Sequence, residues 1–142
     1  MTIRLDVALH STFHAQKNKI RPGMIAIGLS PGQPKVLRYL SNRSGCMQKD
    51  IASALDIEPA TVSQLLGNME QAGLIKRSSL EERRRAESVS ITDKGREYYE
   101  KWLKLCSEVE QLSMKGFSEA EKEQFLDYLG RMYHNLTDRT LD

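Results

Sequence analysis

A helix, a short turn, a second helix and a β-hairpin follow one another between Gln48 and Ile91, the second helix keeps one polar face free of charge, and three consecutive arginines sit at the hairpin tip. These observations predict a mainly α fold with a small β-hairpin wing (α+β): a winged helix-turn-helix flanked by helices from both ends of the chain. At 142 residues the chain has room for one compact core.

The elements follow in order. Residues 3–20 read as a helix with Leu5, Leu9, Phe13 and Ile20 on one side, and Pro22-Gly23 is expected to break it. Ser30-Pro31-Gly32-Gln33 predicts the next start, with Ser30 as N-cap, Pro31 at the first position and Gln33 completing a capping box. Val36, Leu37 and Leu40 form its apolar face, and it ends between Asn42 and Gly45. Gln48 to Leu55 is a short helix with Ile51, Ala52 and Leu55 inward. Asp56-Ile57-Glu58 connects it to a helix that Pro59 opens and Gly73 stops. Leu74–Arg77 and Glu87–Ile91 read as two strands joined by a polar, basic loop. Thr92-Asp93 caps a long helix with Tyr98, Trp102, Leu105, Val109 and Leu112 at helical spacing. Ser118 to Glu121 is a second capping box, opening a last helix with Phe125, Leu129, Met132, Tyr133 and Leu136.

Residues 30–92 form the expected winged helix-turn-helix, and 93–114 a long connecting helix. Residues 1–29 and 115–142 carry more apolar surface than a small winged helix can cover. They are expected to make a helical dimerisation region from both termini, each buried Leu or Phe contributing about 1.5–3 kcal/mol.

Composition narrows the function classes. The hydrophobic fraction is 39% and no run approaches the length of about 20 apolar residues that spans a bilayer. Asp6, His10 and Lys17 interrupt any secretory pattern at the N-terminus, so a cytoplasmic protein is expected. There is no Ser/His/Asp set, no glycine-rich phosphate loop and no paired-carboxylate motif, and the three histidines fall outside the winged-helix part. No enzymatic activity and no cofactor are expected. Net charge is only +2, but residues 107–142 hold four basic and eight acidic side chains, which leaves the rest of the chain at +6. A basic body suits an anionic partner.

The chemistry concentrates in two places. On the Pro59 helix, Val62, Leu65, Leu66 and Met69 form the inward stripe, leaving Ala60, Thr61, Ser63, Gln64 and Asn68 outward. Solvated faces usually carry Lys and Glu; this one has short hydroxyl and amide groups. Such a helix can enter a major groove about 12 Å wide and meet donors and acceptors on base edges. Gln64 can pair with an adenine, and Thr61 can touch a thymine methyl or a phosphate. At the wing tip, Arg83, Arg84 and Arg85 suit phosphates and a narrow minor groove. An isolated charge run is usually only solvated, and Glu81 and Glu82 partly neutralise this one. Its place beside a candidate recognition helix favours double-stranded DNA as the partner.

The ordered set Gly28-Leu29-Ser30-Pro31, Met47-Gln48-Lys49-Asp50-Ile51-Ala52, Thr61-Val62-Ser63-Gln64-Leu65-Leu66, Met69-Glu70-Gln71-Ala72-Gly73-Leu74-Ile75 and Val89-Ser90-Ile91-Thr92-Asp93-Lys94-Gly95 resembles the multiple-antibiotic-resistance regulators, the MarR family. The resemblance covers nearly the whole chain. It implies an obligate homodimer with interleaved termini, a pseudo-palindromic operator, and repression relieved by a ligand or by oxidation. Two departures stand out. The family's wing carries Asp, any residue, then Arg; here Arg83 holds the Asp position, Arg85 the Arg position, and Glu82 stands one residue early. The resemblance supports Arg85 as the minor-groove residue and leaves the acid that braces the wing unassigned. Met47 stands where a capping Thr is common, so the Gln48 helix is expected to be capped by other means.

Other features carry a sharp and a bland reading each. Cys46 and Cys106 invite a thiol-based redox-responsive regulator, with Arg43 and Lys49 near Cys46 to favour its thiolate. Relatives that sense oxidants typically use a cysteine in the first helix, which this chain lacks, so packing is the favoured role. His10 and His14 have the four-residue spacing of metal ligands, but no carboxylate motif accompanies them, and no metal is expected. Phe13, His14, Tyr98, Tyr99 and Trp102 could line a cleft for a small-molecule effector, though aromatic residues at helical spacing are more often core. A winged-helix protein-interaction module without DNA binding is the remaining alternative, disfavoured by Arg84, Arg85 and the uncharged Thr61–Gln64 face.

Overall fold

The computed structural model describes residues 2–43, 45–79 and 87–141. Its elements are α1 (Leu5–Ile27), α2 (Gln33–Ser41), β1 (Cys46–Met47), α3 (Gln48–Leu55), α4 (Pro59–Gln71), β2 (Ile75–Ser79), β3 (Glu87–Ile91), α5 (Asp93–Ser113) and α6 (Glu119–Thr137). A mainly helical chain with a small antiparallel sheet is the predicted class. The chain divides into two compact units, residues 1–107 and 108–142.

In the first unit, Val36, Leu37 and Leu40 of α2, Ile51 of α3, Val62, Leu66 and Met69 of α4, and Leu74 and Val89 around the sheet are wholly buried together. At about 1.5–3 kcal/mol each, they are the main force holding the helix pair against the hairpin. The sheet runs β1-β3-β2, antiparallel throughout, with Cys46 opposite Val89 and Ile75 opposite Ile91. The two-residue β1 was not expected, since two residues show no alternation.

Two expectations about helix boundaries are corrected. The first helix does not break at Pro22-Gly23 but runs on to Ile27. Proline inside a helix costs about 3 kcal/mol by losing a donor to the carbonyl four residues back. Past that point Met24 is buried in the core with Ile27 half-buried beside it, and burial outweighs the loss. Gly23 fits because a Cβ there would meet Leu105 of α5 at 2.6 Å. The helix stops at Gly28, whose φ of +101° lets its N–H bond back to Met24 and Ile25. The second correction concerns α2, which begins at Gln33 rather than Pro31, with Gly32 as N-cap at φ +88°. Gln33 still reaches back, its Oε1 accepting from the Ser30 N–H at 2.9 Å, so the expected box closes a turn ahead of the helix instead of its first turn.

Elsewhere the caps are as read. Asp50 accepts from the Met47 N–H at 3.1 Å, supplying the cap that Met47 lacks. Thr92 Oγ1 accepts from the Gly95 N–H at 3.0 Å at the start of α5. In the second unit, Ser118 and Glu121 form a reciprocal capping box, and the Ser118 N–H, donating to the exposed Glu121 carboxylate at 2.9 Å, is the main cause holding that carboxyl below its usual range. No residue of α6 is buried: Phe125, Leu126, Tyr128 and Leu136 are exposed.

Candidate nucleic-acid interface

The geometry of the interface begins with the α3–α4 connector. Asp56 takes a left-handed conformation, φ +53°, and lets the Ile57 N–H return to the Ala52 carbonyl at 3.0 Å. Glu58 is extended, as a residue before proline must be, and Pro59 opens α4 with no side-chain cap. The chain therefore turns sharply, and α4 packs against α3.

On α4, Val62, Leu66 and Met69 are fully buried and Leu65 is half-buried, its methyls close to Gly32. Ala60, Thr61, Ser63, Gln64 and Asn68 are all exposed. Every residue of the sequence-predicted recognition face thus lies outward, on a helix whose other side is locked into the core. A rigid backing suits a reading surface, because base contacts demand placement within a fraction of an ångström.

Arg77 on β2 was read from sequence only as part of a strand. Its guanidinium reaches the Gln48 Oε1 at 3.4 Å and the Glu70 carboxylate at 3.7 Å. A Cβ on Gly67 would lie 3.6 Å from its Nη2. Arg77 therefore ties the root of the wing to both helices of the pair. The sequence signal for it is strand alternation, which puts Arg77 on the same face as the buried Ile75 two positions earlier. Beyond Ser79 and Glu87, the last pair of the hairpin, lie Arg83, Arg84 and Arg85, outside the described residues.

The remaining candidates do not converge. Tyr98, Tyr99 and Trp102 are half-buried against the core, whereas Phe13 and His14 are exposed. The His10 and His14 rings stack at 6.2 Å, and no group of three or more metal-binding side chains gathers among the described residues. Burial raises the Cys46 thiol pKa, the Asp50 carboxylate raises it further, and Arg43 offsets only part of this. The expected help from nearby cations is therefore outweighed. Burial raises Cys106 as well. Among the described residues no helix is long and apolar enough to cross a membrane.

Residues 27–86 match the sequence profile of the MarR family. The chain is 27% identical over 111 residues to an uncharacterized HTH-type transcriptional regulator, YdgJ, of Bacillus subtilis, covering 78% of this chain and 68% of that one. It is 26% identical over 105 residues to the HTH-type transcriptional regulator BilQ of Clostridium symbiosum, covering 74% and 73%. Among solved structures it is similar to the MepR–DNA complex of S. aureus, with a TM-score of 0.82 and 28% identity over 94% of this chain and 99% of that one. The crystal structure of MarR also aligns with a TM-score of 0.82, at 23% identity over 96% and 92%, which shows the shared fold.

Proposed function

We propose that the chain is a MarR-family transcriptional regulator that acts as a homodimeric repressor on a pseudo-palindromic operator and is released by a small-molecule ligand. The observation that carries this reading is the α4 face: Thr61, Ser63, Gln64 and Asn68 exposed and uncharged, on a helix whose reverse side buries Val62, Leu66 and Met69. Hydroxyl and amide groups there can meet base edges, while the arginines at positions 83–85 supply charge toward phosphates or the minor groove. That the similar S. aureus MepR has been solved with DNA supports the same partner. The homodimer rests on Leu5 and Phe13 in one unit and Phe125 and Leu136 in the other, all left exposed by a single chain. With both thiols raised, the redox alternative loses its chemical motive.

The test is selection of duplexes from a random pool, followed by titration of the enriched sequence and a scrambled one at two salt concentrations. An enriched inverted repeat bound at least 1,000-fold tighter, on the order expected for specific sites, bears the reading out. Equal, purely salt-governed binding to both duplexes sinks it.

A further inference from the structure

The far end of α4 is also held, by side chains from outside the helix. The last carbonyls of a helix have no intrahelical donor, and the helix dipole makes that end negative. Here the donors come from the start of α5. Lys94 Nζ donates to the Ala72 carbonyl at 2.7 Å, and the Thr92 hydroxyl donates to the Gly73 carbonyl at 2.6 Å. The Thr92 N–H adds a bond to the Leu74 carbonyl at 3.1 Å. Gly73 stands at φ +79°, and the Lys94 stem passes 3.7 Å from where a Cβ would stand, an ordinary contact distance. The same ammonium lies 5.4 Å from the centre of the Tyr98 ring. That ring abuts Gly28, where a Cβ would come within 3.2 Å of Tyr98 Cε2. The rear of α4, the first turn of α5 and the end of α1 therefore meet around one lysine.

We propose that Lys94, together with Thr92, is a positioning residue for DNA binding: a clasp on the rear of α4 that sets the angle at which Thr61, Ser63 and Gln64 are presented, without touching DNA itself. The proposal rests on the DNA-reading role given to α4 above. Ala72 lies about 16 Å along the helix axis behind Thr61, so a tilt of about 10° at the clasp shifts the reading end by about 3 Å. A shift of that size exceeds the tolerance of a bidentate base contact.

Lys94→Met keeps the stem and removes only the donor; Lys94→Arg keeps a donor. Each is titrated against a duplex enriched from a random pool by the wild-type protein, and against its scramble, over a range of salt. Amide exchange of residues 68–74 is followed without DNA. Lys94→Met should bind the enriched duplex about tenfold more weakly and the scramble almost as before, with faster exchange. Lys94→Arg should recover most of the loss. The salt slope should stay unchanged, because no phosphate contact is lost. A slope reduced by about one would mean that Lys94 touches a phosphate, and would overturn the proposal. Unchanged affinity or unchanged exchange would overturn it equally. If the wild-type protein enriches no duplex, the DNA reading itself has failed, and exchange alone then decides whether the clasp holds α4.

Discussion

Gln64 is exposed on α4. Gln64→Ala should therefore leave thermal stability and assembly unchanged, since the two residues differ little in helix propensity. It should weaken binding to the operator by about 1–3 kcal/mol and leave scrambled DNA nearly untouched. Paired titrations on the two duplexes check this, and equal losses on both would show that Gln64 does not read sequence. Cys46 carries a second expectation at this scale. With its thiol pKa raised by burial and by Asp50, alkylation by iodoacetamide at pH 7.5 should run slower than for free cysteine. Asp50→Asn keeps an acceptor for the Met47 N–H and removes the charge, so it should speed the reaction; an unchanged rate would mean that the carboxylate does not act on the thiol. The outward residues of α4 were legible because helical period alone separates them from Val62, Leu66 and Met69. The partners of Arg77 and Lys94 were not, because each lies about 20 or more positions from at least one of the groups it bonds.

The elements were legible where local chemistry and burial agree. Pro59 and Gly73 bound α4, and Ser118 with Glu121 starts α6, as the sequence reads. The two misplaced helix boundaries are places where they disagree, and β2 also runs on to Ser79, past the Arg77 end read from sequence. At Pro22 local chemistry argues for a break, and burial of Met24 carries α1 past it. At Ser30 the capping residues are present, but Gly32 takes a left-handed conformation between them and delays the helix. Gly95 shows how closely two elements can meet. A Cβ there would run into the Leu74 carbonyl oxygen, which is backbone and cannot swing aside. Gly95→Ala gains helix propensity of about 1 kcal/mol, yet it should destabilise the protein by about 1–3 kcal/mol net through overpacking. Thermal denaturation checks the sign: a melting temperature at or above that of the wild type would refute the close approach.

In the whole molecule, the order of elements other than β1 was readable from sequence, as were the bare side chains of Leu5, Phe13, Phe125 and Leu136, whereas Ile25 and Leu126 were not singled out. Leu5, Phe13 and Ile25 remain exposed in the first unit, and Phe125, Leu126 and Leu136 in the second. A lone chain leaving these in water forgoes about 1.5–3 kcal/mol for each that a partner could bury. Analytical ultracentrifugation at micromolar concentration should find a dimer, and a monomer there would remove the basis for a two-fold operator. With a dimer, the half-site centres should lie about 10–10.5 bp apart, so that both α4 helices meet successive major grooves on one side of the duplex.

Strand β1 also bears on how the chain reaches this state. Cys46 faces Val89 across 43 positions, whereas the β2–β3 hairpin closes locally between Ser79 and Glu87. Closing the longer loop costs about 1.5 kcal/mol more in chain entropy, and two residues return little for it. The hairpin and the α3–α4 pair can therefore assemble first, with β1 joining as the final stitch. Pulse-labelled exchange during refolding should show amide protection in β1 arriving after that of β2 and α4. Simultaneous protection would mean that the long-range pairing already belongs to the folding nucleus.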